Sequence, residues 1–305
     1  MAPAGERWVD LLDPTPEELR RNLPESVHSS ALDQLLASAQ HDDEPRPKLE
    51  GHGDYVFGVF LIPVLVPDED LVYYQEVDLI ATRERLLTVR KTPELGKPPF
   101  DSESARQACR EHEGVGMIAY HLLDDVAERF LDLVDGLNDE IDELEDNVEM
   151  WPPERVRARL SSLRHDLLHI RRTLAPTRDA VRAVLDDRVE LDGRKLFTRD
   201  VELSFGAAYD KFLRANDGLE LSRDLVAGVR DYHQSKIAND QNEVMKRLTV
   251  IASVLLLPTF IVGLYGQNFH HIPELGWSFG YWWAWGWIAL TTIGQLVFFR
   301  WKRWI

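Results

Sequence analysis

The chain has 305 residues, with 35 Lys and Arg against 52 Asp and Glu for a formal charge of −17, which excludes a general nucleic-acid binder because phosphate backbones demand a basic footprint. A single cysteine, Cys109, excludes an internal disulfide, a zinc ribbon and a CxxC redox pair. The length predicts about two domains at roughly 150 residues each; the cysteine usage makes the polar part read as intracellular, and residues 1–10 show no basic-then-apolar leader to direct export.

In chain order, residues 8–12 read as a strand, and Asp13-Pro14-Thr15-Pro16-Glu17-Glu18 is a helix start with acids at the positive dipole end. Residues 55–66, 72–82 and 85–91 are rich in β-branched and aromatic types, separated by Pro67-Asp68 and a short polar break. With helical stretches over 25–39 and 102–111, residues 1–116 are expected to form an α/β domain. No glycine-rich phosphate loop follows a strand and no Gly-x-Ser-x-Gly turn occurs, so the sequence offers no catalytic residues, no bound cofactor and no enzyme.

Residues 117–192 change character. Leu123, Val126, Phe130, Leu133, Leu137, Ile141, Leu144 and Val148 recur at steps of three and four, and Val156, Leu160, Leu163, Leu167, Ile170, Leu174 and Val181 do nearly the same after Trp151-Pro152-Pro153. That spacing predicts an antiparallel helical hairpin. Its first arm carries 12 acids between Tyr120 and Met150, against one Arg129, and its second arm is Arg-rich. The arms can simply neutralise one another, or the acidic helix can concentrate cations by focusing field. His165 and His169 sit four apart, a metal-ligand spacing, but with no accompanying HExxH pattern they read as surface residues.

Beyond Asp192-Gly193, residues 193–247 form a predicted stalk. Residues 199–257 can be one helix of about 90 Å, continuous with the apolar segment that follows. Gly206, Gly218 and Gly228 count against its continuity. A partly polar helix of that length needs neighbours, which implies copies arranged around a common axis. Residues 248–266 and 277–299 hold about 19 and about 23 residues without a charge, each near the ~20 needed to span a bilayer. Lys246 and Arg247 precede the first and Arg300, Lys302 and Arg303 follow the second, while the connecting loop 267–276 has neither type. Both termini, including the tail 300–305, are therefore expected on the cytoplasmic side of the inner membrane, in contact with lipid. Seven of nine tryptophans lie between Trp277 and Trp304, as belts at the headgroup zones require.

Asn242, Met245, Leu248, Ala252, Leu256, Thr259 and Gly263 form one helix face, polar at its ends and apolar between. The face is either a packing seam or a pore lining whose apolar section resists ions until it wets.

Tyr265-Gly266-Gln267-Asn268-Phe269, followed by Ile272-Pro273-Glu274-Leu275, resembles the CorA family of magnesium channels, whose signature is Tyr-Gly-Met-Asn-Phe and then Met-Pro-Glu-Leu. The likeness extends to Trp8-Val9-Asp10-Leu11, Arg46-Pro47-Lys48-Leu49-Glu50, Asn242-Glu243-Val244-Met245-Lys246 and the basic end with Trp304. It implies a funnel-shaped homopentamer with an α/β cytosolic domain, a helical hairpin, a long stalk helix lining the pore and two C-terminal transmembrane helices. The implied activity is membrane-potential-driven uptake of Mg2+, gated by cytosolic cation. Gly266, Gln267 and Asn268 would then hold a hydrated ion at the mouth and Glu274 would attract it. Taken alone, Asn268 is an ordinary turn residue and Glu274 a solvated loop charge.

Three departures bear on what transfers. Gln267 replaces the family's Met, and His270 and His271 add imidazoles, so Zn2+, Co2+ or Ni2+ is the alternative cargo. Pro258 stands one place later than in the family's Pro-Leu-Thr order, displacing the expected kink. In the gating segment Phe205-Gly206-Ala207-Ala208-Tyr209-Asp210, Ala207 occupies a position the family gives to an acid. That leaves Asp210 and Asp231 as candidate gating ligands, with Asp101 behind them, and keeps open a non-conducting metal sensor or scaffold.

Overall fold

Strand-forming residues on both faces of a sheet call for a helical layer on each side, and the computed structural model supplies both. It describes residues 7–24, 26–39, 44–66, 71–93, 96–191, 195–268 and 272–305. The expected turns at Pro67-Asp68 and Asp192-Gly193 lie outside the described residues. Strands β1 (Trp8–Leu12), β2 (Lys48–Gly51), β3 (Val56–Val66), β4 (Leu71–Ala81) and β5 (Leu86–Arg90) form one sheet in the order β1-β5-β4-β3-β2. β1 runs parallel to β5 and every other pair is antiparallel, with Val56 opposite Ala81 and Val66 opposite Leu71.

The pleat sorts the sheet's side chains. Phe57, Val59, Ile80, Leu87 and Val89 point to α1 (Pro16–Asn22) and α2 (Ser29–Leu36), meeting Leu19, Ala31 and Leu35. Val56, Phe60, Ile62, Val77, Leu79 and Leu86 point the other way, into the large core built with α3 (Glu103–Ala108), α4 (Val115–Asn147) and α5 (Pro153–Leu185). β3 therefore reads as an unbroken apolar run. α1 starts where expected: Thr15 Oγ1 accepts the Glu18 N–H at 3.3 Å and Glu18 returns a carboxylate to the Thr15 N–H at 2.9 Å. The helices expected over 25–39 and 102–111 are shorter, because His28 caps α2 from outside and Cys109 ends α3 in extended backbone.

α4 and α5 form the helical hairpin, joined through residues 148–152, where Arg155 stacks on Trp151 at 3.8 Å. Phe130, Leu137, Ile141, Leu163 and Ile170 are buried along its seam. α6 (Arg199–Tyr265) packs its early turns on the same core through Phe205, Phe212, Ala215 and Leu219. Its continuity survives the three glycines for local reasons. Gly206 and Gly228 face open space, whereas a Cβ on Gly218 would stand 2.7 Å from Val134 Cγ1 of α4, so glycine there permits close helix approach. The hairpin's acids are neutralised in part between the arms, where Arg159 reaches Glu140 at 2.9 Å, and in part from α6, where Lys211 takes Asp124 and Glu128 at 2.7 and 2.5 Å.

The chain divides into two compact units, residues 1–229 and 230–305. In the second unit the stalk and the apolar segment are one helix, since α6 continues through Pro258 to Tyr265. A short 3-10 turn (Pro273–Gly276) leads to α7 (Gly280–Trp301). Gln295 Nε2 of α7 donates to Ser253 O at 3.1 Å, and Val250 and Phe299 are buried. Among the described residues one helix, α6, is long and apolar enough to cross a membrane. The tryptophans and Gln295 keep α7 below that hydropathy although it carries a single charge, Arg300.

Candidate functional site

Helix period and burial together orient the apolar part of α6. Val250 is buried, and Ser253, Val254, Pro258, Ile261 and Tyr265 are half-buried on the side facing α7. At about 100° per residue, Met245, Leu248, Ala252, Leu256, Thr259 and Gly263 fall on the opposite side, and all are exposed, Leu256 at 69%. Asn242 is exposed too, about a quarter-turn off that line. Thr259 Oγ1 donates to Leu255 O at 2.7 Å, which satisfies its hydroxyl along the helix. The predicted stripe is thus one continuous exposed face without a partner among the described residues.

The same helix ends at the motif. The Gly266 N–H closes the last turn on Val262 O at 2.9 Å and the Gln267 N–H reaches Leu264 O at 3.4 Å. A Cβ on Gly266 would stand 3.2 Å from Val262 O, crowding the carbonyl that ends the helix. Gly266, Gln267 and Asn268 are all exposed. His270 and His271 lie outside the described residues. Glu274 sits half-buried in the 3-10 turn, and its carbonyl accepts the Trp277 N–H at 3.2 Å. Sequence reasoning passed over Gly280, where a Cβ would lie 2.3 Å from Glu274 O. A glycine opening a tryptophan-rich helix was the available signal.

Each acid considered for gating has its own local surroundings. Asp210 is exposed, while its neighbour Lys211 turns inward. Burial works against the Lys211 charge, but Asp124 and Glu128 outweigh it and hold its pKa above the ordinary lysine value. Asp231 is exposed and bonds to Arg230 at 3.0 Å. Asp101 accepts the Glu103 N–H at 3.0 Å where α3 begins. His165 is exposed as read, but His169 is not a plain surface residue: it pairs with Glu44 at 3.2 Å and packs edge-on to Tyr74 at 4.8 Å.

Two buried polar clusters stabilise the sheet. Asp10 accepts from Thr88 Oγ1 at 2.7 Å, Ser102 Oγ at 2.9 Å and Arg90 Nε at 3.1 Å, tying β1, β5 and the start of α3 together. Lys91 stands between Glu76 at 2.6 Å and Asp78 at 3.0 Å and also donates to Gln34 O at 2.7 Å. Burial, then the charge of Glu76, push Asp78 up to about 8 despite Lys91.

The sequence pattern described as "CorA-like Mg2+ transporter protein" matches residues 4–303. A cobalt/magnesium transport protein CorA of Thermotoga maritima is 30% identical over 289 residues, covering 92% of this chain and 77% of that one. The divalent cation transporter CmaX of Pseudomonas aeruginosa is 26% identical over 314 residues, covering 97% and 89%. The complete structure of the CorA magnesium transporter from Methanocaldococcus jannaschii superposes with a TM-score of 0.79 at 22% identity, covering 98% of this chain and 91% of that one, a likeness of fold.

Proposed function

Since the chain belongs to the CorA-like Mg2+ transporter family, we propose that it is a membrane channel for hydrated divalent cations, with Mg2+ as cargo. The observation that carries this reading is the exposed Gly266-Gln267-Asn268 at the end of an apolar helix whose outward stripe has no partner among the described residues. Mg2+ sheds water reluctantly and is held through the waters it keeps, so a capture site should offer oxygen acceptors just beyond them. Five copies around an axis would present five Asn268 amides, with Gly266 carbonyls beside them. Glu274, the sole formal charge between residues 248 and 299, would form an outer ring that raises local cation concentration.

In this reading residues 1–247 are cytosolic: the α/β domain over 1–116, the hairpin over 117–192 and the stalk over 193–247. Residues 248–266 and 277–299 span the inner membrane, joined outside by 267–276, and 300–305 return to the cytosol beside Lys246 and Arg247. Met245, Leu248, Ala252 and Leu256 line the closed, dewetted section, with Asn242 and Thr259 at its polar ends. Asp210 and Asp231 are the acids through which cytosolic cation would favour the closed ring, by screening repulsion between copies.

The test is flux into liposomes holding the purified protein under an inside-negative potential, with Mg2+, Zn2+, Co2+ and Ni2+ compared. Mg2+ entry that falls at least about tenfold in Asn268→Ala, with the oligomer intact, is the expected result. Zn2+ entry without Mg2+ would reassign the cargo, and no flux of any ion from an intact oligomer would sink the channel reading.

A further inference from the structure

Away from the mouth, three side chains of different ligand chemistry converge where α3 hands over to α4. Cys109 caps the end of α3, Glu113 lies just before α4, and His121 is in its second turn. One ligand atom from each falls within 4.8 Å of the others. His121 Nε2 is 3.0 Å from Glu113 Oε2, and both side chains are only 16–17% exposed, shielded yet open to a small ion. Arg7 Nη1 holds the Glu113 carbonyl at 2.7 Å, and Cys109 Sγ donates to Ala105 O at 3.3 Å.

We propose that Cys109, Glu113 and His121 form a binding site for a borderline-soft divalent cation, Zn2+ or Co2+, in the first compact unit. A thiolate, an imidazole and a carboxylate are the donors such ions take, and three protein ligands leave a fourth corner to water. Mg2+ prefers oxygen alone. Bond lengths of about 2.0–2.3 Å set tetrahedral donors roughly 3.3–3.8 Å apart, so the widest pair needs to close by at most about 1–1.5 Å, within reach of side-chain rotation. Burial, then Glu113, push the Cys109 thiol up to about 11, so an arriving ion displaces its proton to solvent as the sulfur–metal bond forms. The site would give the chain a receptor for the softer ions, distinct in chemistry from the oxygen-rich mouth.

Cobalt titration of the full-length, detergent-solubilised and phosphine-reduced protein tests this, because Cys109 is the single cysteine and any thiolate-to-cobalt charge-transfer band must arise from it. A saturable near-ultraviolet band is expected in the parent and in Asn268→Ala, erased by Zn2+ but not by excess Mg2+. The band should be absent in Cys109→Ser. His121→Ala and Glu113→Gln should bind Co2+ more weakly by more than the roughly 10–100-fold that loss of a merely supporting group costs. No band in the parent at saturating cobalt, or a band of unchanged affinity in both His121→Ala and Glu113→Gln, overturns the site, and neither outcome touches the transport reading.

Discussion

Lys91 shows what a single residue can impose on a sheet. It is 2% exposed between Glu76 and Asp78, so the cluster holds two carboxylates for one ammonium. Burial, and then the charge of Glu76, push the Asp78 carboxyl up to about 8, so a proton on it resolves the surplus. The raised value means the folded chain binds a proton that the unfolded chain gives up, so this contribution to stability is complete below about pH 4 and is lost as pH rises towards about 8. Asp78→Asn should flatten that dependence: calorimetric melts of parent and variant are expected to diverge above pH 4, with the variant relatively more stable at pH 8. Parallel pH profiles would remove the proton from Asp78. None of this was legible in the sequence, where Glu76 and Asp78 look like the polar positions of an alternating strand. Burial on both faces depends on partners far along the chain. Asp10 is a similar case, since its strand was readable while its bonds to Thr88, Arg90 and Ser102 were not.

Elements were read well where their period is long. The hairpin arms announce themselves over nine turns each, because a buried stripe must recur every three or four residues. β2 has four residues with Lys48 and Glu50 on its outer face, too short for a pattern, and exists because β3 offers it an edge. The glycines of α6 mark the same boundary between local and tertiary information. Propensity penalises Gly206 and Gly218 equally, by about 1 kcal/mol relative to Ala. Contact separates them. Gly206→Ala should raise the thermal midpoint, as its Cβ meets nothing within 4 Å, whereas Gly218→Ala drives a methyl to 2.7 Å from buried Val134 and should lower it by about 1–3 kcal/mol equivalent. Equal shifts in the two variants would show that α4 and α6 yield easily at this contact.

For the molecule as a whole, the candidate site was legible because its logic is linear: an apolar helix, a glycine, an amide and one acid follow one another in sequence. What would close the proposed pore is less legible, since Ala207 departs from the family's acid and the proposed role of Asp210 and Asp231 needs neighbouring copies. The exposed stripe carries its own prediction. Leu256, 69% exposed, ends its apolar section beside Thr259, and a polar side chain there should wet the proposed narrow section. Leu256→Asn is expected to raise Mg2+ flux in liposomes several-fold and to weaken its inhibition by internal Mg2+. Flux at or below that of the parent would mean that the stripe is a packing seam.

The tryptophans of the second unit have an optical consequence. Seven of the nine lie between Trp277 and Trp304, leaving Trp8 and Trp151 as the emitters of the first unit. Trp8 is buried with Arg106 over its ring, and Trp151 is covered by Arg155. Intrinsic fluorescence therefore reports mainly on the surroundings of α7: brominated acyl chains should quench most of the emission, while the sheet can melt with little change in colour.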